Sequence, residues 1–344
     1  MRLCVSSCLV GLSLALVFAP QEVGHSAPPP PVFLLTQNSV MAADLSTSRI
    51  VARRSLKAGA ARKVVSAGGL VLLQGERTVQ VLKAQTLETV QTVEFREEIQ
   101  DIAVLRALLL VASGSEIHIV RIASAGRPSI ITSIRLPKGA HALAARGTSI
   151  YAIDDVIRPY YSHFIDIQDP YAPRVITMQW GAVSGRLVSQ AIADRWYVVD
   201  TYQKGITGRR GHSVWALSLK PPIEKLTRWD MGGMPRGWGM RGFRVHADTL
   251  YWIWGGGDDR VWLFRRRLEP SDATTEKVIP LGPSGEWVGL TPRGTIELVG
   301  SRLYVAAARQ LQAFDLDASR PPVRALQFKS PSPILSFEIP QAGR

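Results

Sequence analysis

The sequence predicts an all-β protein, a seven-bladed β-propeller closed by a C-terminal strand that completes the first blade. Three observations carry the prediction. From residue 32 onward, short runs of Val, Ile, Leu and aromatic residues are bounded by Gly, Pro, Asp and Ser, the pattern of strands and turns. One strand–turn–strand unit recurs about seven times, at roughly the 40–50-residue period of propeller blades. The last apolar run, Ile334 to Ile339, belongs to no unit of its own, while the first unit is one strand short.

A complete unit runs through four strands: Ile99 to Leu105, Ala107 to Ser113, Glu116 to Ile122 and Ile130 to Leu136. Its third and fourth strands are joined by residues 123–128, where Gly126 supplies unusual φ values and Pro128 fixes one. The same pairing of third and fourth strands returns at Phe164 to Ile167 before Arg174, and at Ala313 to Leu316 before Val323. Weaker copies are Val79 to Ala84 with Thr89 to Phe95, Ser213 to Leu219 with Ile223 to Trp229, Val261 to Arg266 with Lys277 to Leu281, and Val40 to Leu45 with Arg49 to Leu56. Val32 to Thr36 serves as the second strand of the first blade. Pairing Ile334 to Ile339 beside it would remove two sheet edges that otherwise invite aggregation.

Residues 1–27 read as a signal peptide or N-terminal anchor: Arg2 is a minimal basic region and Leu3 to Ala19 an apolar one. Small-residue cleavage sites at Val17–Ala19 and His25–Ala27 are each followed by proline, so a retained anchor and membrane association through it stay open. Residues 28–31 form a Pro-rich spacer and residues 32–340 the propeller domain. Both cysteines, Cys4 and Cys8, lie in the signal. The mature chain therefore has no disulfide, no Cys-ligated zinc and no cysteine nucleophile. An exported chain, periplasmic or extracellular and monomeric, is expected.

The phrase Phe164-Ile165-Asp166-Ile167-Gln168-Asp169-Pro170-Tyr171-Ala172-Pro173 resembles the LVIVD-type repeat, in which a strand ending at Asp leads into an Asp-Pro-x-x-Pro-like turn. Gly185 to Val188 and Trp196 to Val199 extend the resemblance to secreted bacterial propeller domains that carry such repeats. The resemblance covers about two blades and implies a propeller and an exported bacterial protein. It implies no activity, because those domains share no catalytic residues. The Trp-Asp endings of WD40 blades and the repeated motif of quinoprotein propellers are missing. Leu250 to Gly256 followed by Val261-Trp262 resembles a single kelch blade.

The formal charge of +13, mostly arginine, suits contact with acidic protein, glycan, lipid or nucleic acid, and equally a generally basic surface. In a four-stranded blade, the second-to-third-strand hairpins and the connections to the next blade emerge on one face of the ring. Long loops are expected there in the middle blades, at Asp154 to Ser162, Thr201 to His212, Met231 to Met240 and Gly255 to Arg260. Function concentrates on such loops. All nine Trp lie between Trp180 and Trp287. Trp196, Trp215, Trp252 and Trp262 fall at strand positions and read as core, whereas Trp238, between Gly237 and Gly239, reads as exposed. Arginine with aromatic surface is the composition of binding hot spots. The candidate binding residues are Arg209, Arg210, His212, Trp238, Arg241, Asp258 and Arg260.

Other chemistry is weaker. The pairs Asp154-Asp155 and Asp258-Asp259 lack a calcium-loop pattern and are better explained by turn capping. His141, His163, His212 and His246 fall in different blades without metal-ligand spacing. Ser213, His212 and Asp200 supply the side chains of a triad, but no nucleophile elbow supports one. The Gly-rich stretches 230–233 and 236–239 lack the strand–turn–helix setting of a phosphate loop. No metal and no cofactor is expected. The leading expectation is a non-enzymatic scaffold that binds a protein or anionic polymer through its loop-rich face. The alternative is an enzyme acting on a glycan or another anionic substrate in the central pocket, with Asp154, Asp258 or His212 as acid–base groups.

Overall fold

Seven four-stranded antiparallel sheets make up the protein, and only the first departs from chain order, taking its innermost strand from the far end of the sequence. The computed structural model describes residues 31–122, 128–154, 160–180, 189–192, 195–204, 209–218, 224–233, 242–255, 260–269, 275–283, 296–307, 309–317 and 320–340. The N-terminal apolar run lies outside these. No helix among the described residues is long and apolar enough to cross a membrane.

The innermost strands are, in blade order, Ile334–Glu338, Lys63–Ala67, Ile99–Leu105, Ala142–Arg146, Ser189–Ile192, Gly242–His246 and Ile296–Val299. The first six each lie beside the inner strand of the next blade, and Ile334–Glu338 lies between Lys63–Ala67 and the second strand of the seventh blade, Arg302–Ala307. The ring is therefore closed as the sequence predicts. Phe33 faces Glu338, Leu34 faces Phe337 and Leu35 faces Ser336, with a register shift before Thr36 meets Ile334. Closure buries Ile334, Ser336, Phe337, Glu338 and Ile339. The closing strand also reaches the second blade, where the Ser336 hydroxyl accepts from the Val64 amide and Ser66 donates to Glu338.

Burial falls from the axis outward. Second strands such as Val32–Thr36 and Leu70–Gln74 are buried throughout, because both of their faces meet neighbouring blades. Outermost strands such as Arg49–Ser55 and Thr89–Glu94 are exposed along most of their length. The apolar clusters fill the wedges between blades: Phe33, Val71 and Leu73 between the first two, Val81, Ile102 and Val111 between the next two, and Leu110, Ile150 and Ile165 beyond those. Local chemistry sets the turns. Gly68-Gly69, with φ of 54° and 79°, makes the two-residue hairpin between the first and second strands of blade two, since both central positions of such a turn require positive φ. Gly139, at φ 87°, carries the connection into the fourth blade so close to blade three that a Cβ would sit 2.1 Å from the Gly114 carbonyl oxygen.

Candidate functional site

The expected loop from Thr201 to His212 is instead the upper part of a hairpin. Strands Arg195–Lys204 and Arg209–Ser218 are ten residues each, and their register runs unbroken from Arg195 opposite Ser218 to Lys204 opposite Arg209. Glycines and arginines here suggest a loop, but Val199, Thr201 and Tyr202 suit a pleated strand and the cross-strand ladder carries on through them. Among the described residues, the inner strand Ser189–Ile192 covers this hairpin only as far as Val198. The six rungs beyond it form an arm of about 20 Å, flanked by the outer strand Lys225–Gly233 over its first four rungs, as far as Gly211. In blade two, by contrast, the inner strand spans the whole of Leu70–Gln74.

The other expected loops shorten for the same reason. Tyr160 begins the strand Tyr160–Asp166, Met231 to Gly233 end the strand Lys225–Gly233, and Gly255 and Arg260 flank strands of blade six.

Arg209, Arg210 and His212 thus stand on the arm, opposite Lys204, Gln203 and Thr201. Arg260 is exposed at the start of Arg260–Arg267 in the adjacent blade, on the same face of the ring. These four candidates are brought to neighbouring hairpins. Trp238, Arg241 and Asp258 lie outside the described residues, as do Asp155 and Asp259. Asp154 is buried, and its amide donates to the Tyr161 carbonyl at 2.9 Å. The register sets His212 opposite Thr201 and Ser213 opposite Asp200.

Tryptophan follows the packing. Trp196 and Trp252 are fully buried, and Trp229 and Trp254 nearly so. They join Tyr151, Tyr197, Phe243 and Phe264 in one cluster spanning the fourth to sixth blades, with Trp215 and Trp262 packed against it. Tyr151 stacks on Trp196 at 5.2 Å and Trp252 on Phe264 at 5.5 Å. The Trp229 indole donates to the Leu268 carbonyl in the next blade. Burial raises the Tyr151 phenol pKa, against the opposing effect of its hydrogen bond to Ser162.

Polar ties between inner strands were not anticipated from the residues. Asp101, 1% exposed, accepts from the Lys63 ammonium at 2.9 Å and from the Leu143 amide at 2.8 Å, so one carboxylate joins blades two, three and four. Lys63 also donates to the Ile102 carbonyl. Arg244 and Glu297 join blades six and seven at 2.6 Å. A charge inside the apolar run Ile99 to Leu105 was the available signal, since a buried carboxylate needs partners. No group of three or more His, Cys, Asp or Glu among the described residues could hold a metal ion.

A second feature repeats from blade to blade. The third-strand residue opposite the fourth position of the second strand is Gln80, His118, His163 and Gln312 in blades two, three, four and seven. Its partners on the outer strand are Thr92, Ser133, Thr177 and Gln327. The His118 ring contacts the Ser133 hydroxyl at 2.7 Å and the His163 ring that of Thr177 at 3.0 Å. Burial holds His163 down to about 4 and lowers His118 against the opposing pull of Glu116.

Comparisons with known proteins reach the fold alone. No protein-family model matches the chain, and no curated protein is similar to it in sequence. Among solved structures, it is similar to Hsv2 of Kluyveromyces lactis (TM-score 0.58, 9% identity, 88% of this chain and 97% of that one). It also resembles the hydrazine synthase of Kuenenia stuttgartiensis (0.55, 16%, 72% and 80%) and BamB of Moraxella catarrhalis (0.52, 14%, 80% and 78%). These support the seven-bladed propeller. Proteins of such different names on one architecture leave the function to the site.

Proposed function

We propose that the chain is an exported, non-enzymatic propeller scaffold of the LVIVD-like type. It acts as a monomer and holds a protein or anionic polymer on the face where the hairpins of blades five and six emerge. Residues 1–27 direct export or remain as an anchor, and residues 28–31 space the propeller from them. The carrying observation is the fifth-blade arm, whose last two rungs rise past the inner and outer strands among the described residues, with Arg209, Arg210 and His212 on the arm and exposed Arg260 beside it. A rigid ring presenting one elongated basic hairpin is a recognition device. The inner-strand carboxylates favour the scaffold over the enzyme reading, because Asp101 and Glu297 are already committed to Lys63 and Arg244.

Replacing Arg209, Arg210 and Arg260 together by alanine should abolish capture of the partner from the native host while leaving the thermal midpoint in place. Capture that survives the triple substitution would remove this face from consideration.

A further inference from the structure

We infer that the outer edge of the fourth blade, Arg174–Trp180, is a docking site for an extended segment of a partner protein, which adds to the sheet as a further strand. The site lies on the rim, apart from the fifth-blade arm. One device found at every other rim is missing there. Where the third strand pairs with the outermost one, the register shifts in blades one, two, three, five, six and seven. In the fourth it runs unbroken through seven rungs, from Tyr160 opposite Trp180 to Asp166 opposite Arg174. A bulge bends and twists an edge away from further pairing. The fourth edge stays regular over about 20 Å, and no strand lies beyond it among the described residues.

Other edge defences are missing too. Proline or a charged residue stands within Arg49–Ser55, Lys225–Gly233, Glu276–Pro283 and Arg320–Lys329, whereas Val175 to Trp180 holds neither. Val175 and Ile176 are each 39% exposed. Exposed apolar residues occur on other rims, but Val51, Val90 and Leu226 are the unpaired residues of bulges, and Ile50, Ile130 and Val323 adjoin one. A chain that blunts its other edges and leaves this one open marks it as functional.

An open edge offers backbone N–H and C=O groups, so what fits it is another strand. Val175 and Thr177 belong to one face of that edge, Ile176 and Met178 to the other. The added strand is therefore uncharged and rich in Val, Ile and Thr, which pair well across a sheet. A second copy of this chain would bring together two molecules of formal charge +13, which repel each other. The occupant is instead a different protein, with carboxylates flanking its strand to complement that charge.

The test titrates the full chain with a fluorescent peptide of alternating Val and Thr between terminal Asp and Glu. Comparison probes are the same peptide with a central Pro-Pro and the same peptide with Lys at its ends. The acidic-ended peptide should bind and slow hydrogen exchange at the Arg174–Trp180 amides. The Pro-Pro peptide, and a variant carrying Val175→Lys and Ile176→Lys, should each show binding at least about tenfold weaker, as loss of two or more ladder hydrogen bonds requires. The variant does so despite its added positive charge. Val90→Lys, on another rim, should bind like wild type. So should the Arg209→Ala, Arg210→Ala, Arg260→Ala protein, which separates this site from the arm. If the double variant folds poorly, the Pro-Pro peptide and the exchange pattern decide. The inference is overturned by no binding, by equal binding of the Pro-Pro or Lys-ended peptide, by equal affinity in a folded double variant, or by protection at another strand. A wild-type dimer that the double variant abolishes also overturns it, because the occupant would then be a second copy.

Discussion

Asp101 and Lys63 meet at 2.9 Å across the gap between the second and third blades, and the same carboxylate holds the Leu143 amide of the fourth. Three rigid bodies are pinned through one almost fully buried side chain. Removing one partner of such a pair leaves the other charged and stranded, at a cost of about 3–5 kcal/mol.

Asp101→Ala should therefore lose about 3–5 kcal/mol in denaturant unfolding. Asp101→Asn should lose less, because its carbonyl still accepts from the Leu143 amide. Replacing both members with Lys63→Met and Asp101→Leu should recover part of the loss, since no charge is then left unpaired. If Asp101→Ala unfolds at the wild-type denaturant midpoint, the three-blade tie contributes nothing.

Acid should loosen the fourth blade. His163 is fully buried and its folded pKa is about 4, against 6.5 when exposed. Its contribution is complete above pH 6.5 and is lost as pH falls towards 4, because the unfolded chain takes up a proton that the folded one refuses. The span corresponds to about 3 kcal/mol. His118 adds to the same trend. In His163→Gln, which keeps a polar partner for Thr177, unfolding free energy measured between pH 7 and pH 4 should fall by about that much less. A His163→Gln profile parallel to wild type would refute the assignment.

Deleting residues 332–344 should abolish stable folding. The deletion removes Ile334, Phe337 and Ile339, each buried, at about 1.5–3 kcal/mol apiece. It also frees the edge of Val32–Thr36. The sum approaches the ~5–15 kcal/mol stability of a whole domain. Soluble yield and melting temperature of the truncated chain report the outcome, and unaltered values would mean that the ring does not depend on this strand.

The strands and the closure were legible because both rest on local periodicity and on counting: alternating apolar residues, turn residues between them, one strand missing and one to spare. Trp196 and Trp252 were legible as core for the same reason, since they stand within strands. The arm was not, because Gly205, Gly208 and Gly211 among arginines look like a loop until the register from Arg195 to Lys204 is known. The equivalence of Gln80, His118, His163 and Gln312 was hidden differently. The position persists while its chemistry changes, and only pairing with the neighbouring strands aligns the four. Asp101 shows a third limit, for its partners come from two other blades and no spacing in the sequence records them.

The pairing of Thr36 with Ile334 has a consequence for how the chain is made. Blades two to seven are each built from consecutive residues and can form as they are synthesised. The first waits with an unsatisfied edge until the final strand is made. Contacts between such distant residues form slowly, because the entropy of joining the ends is lost before any contact rewards it. The ring thus has a defined last step, and its latest-made residues decide whether everything before them is kept.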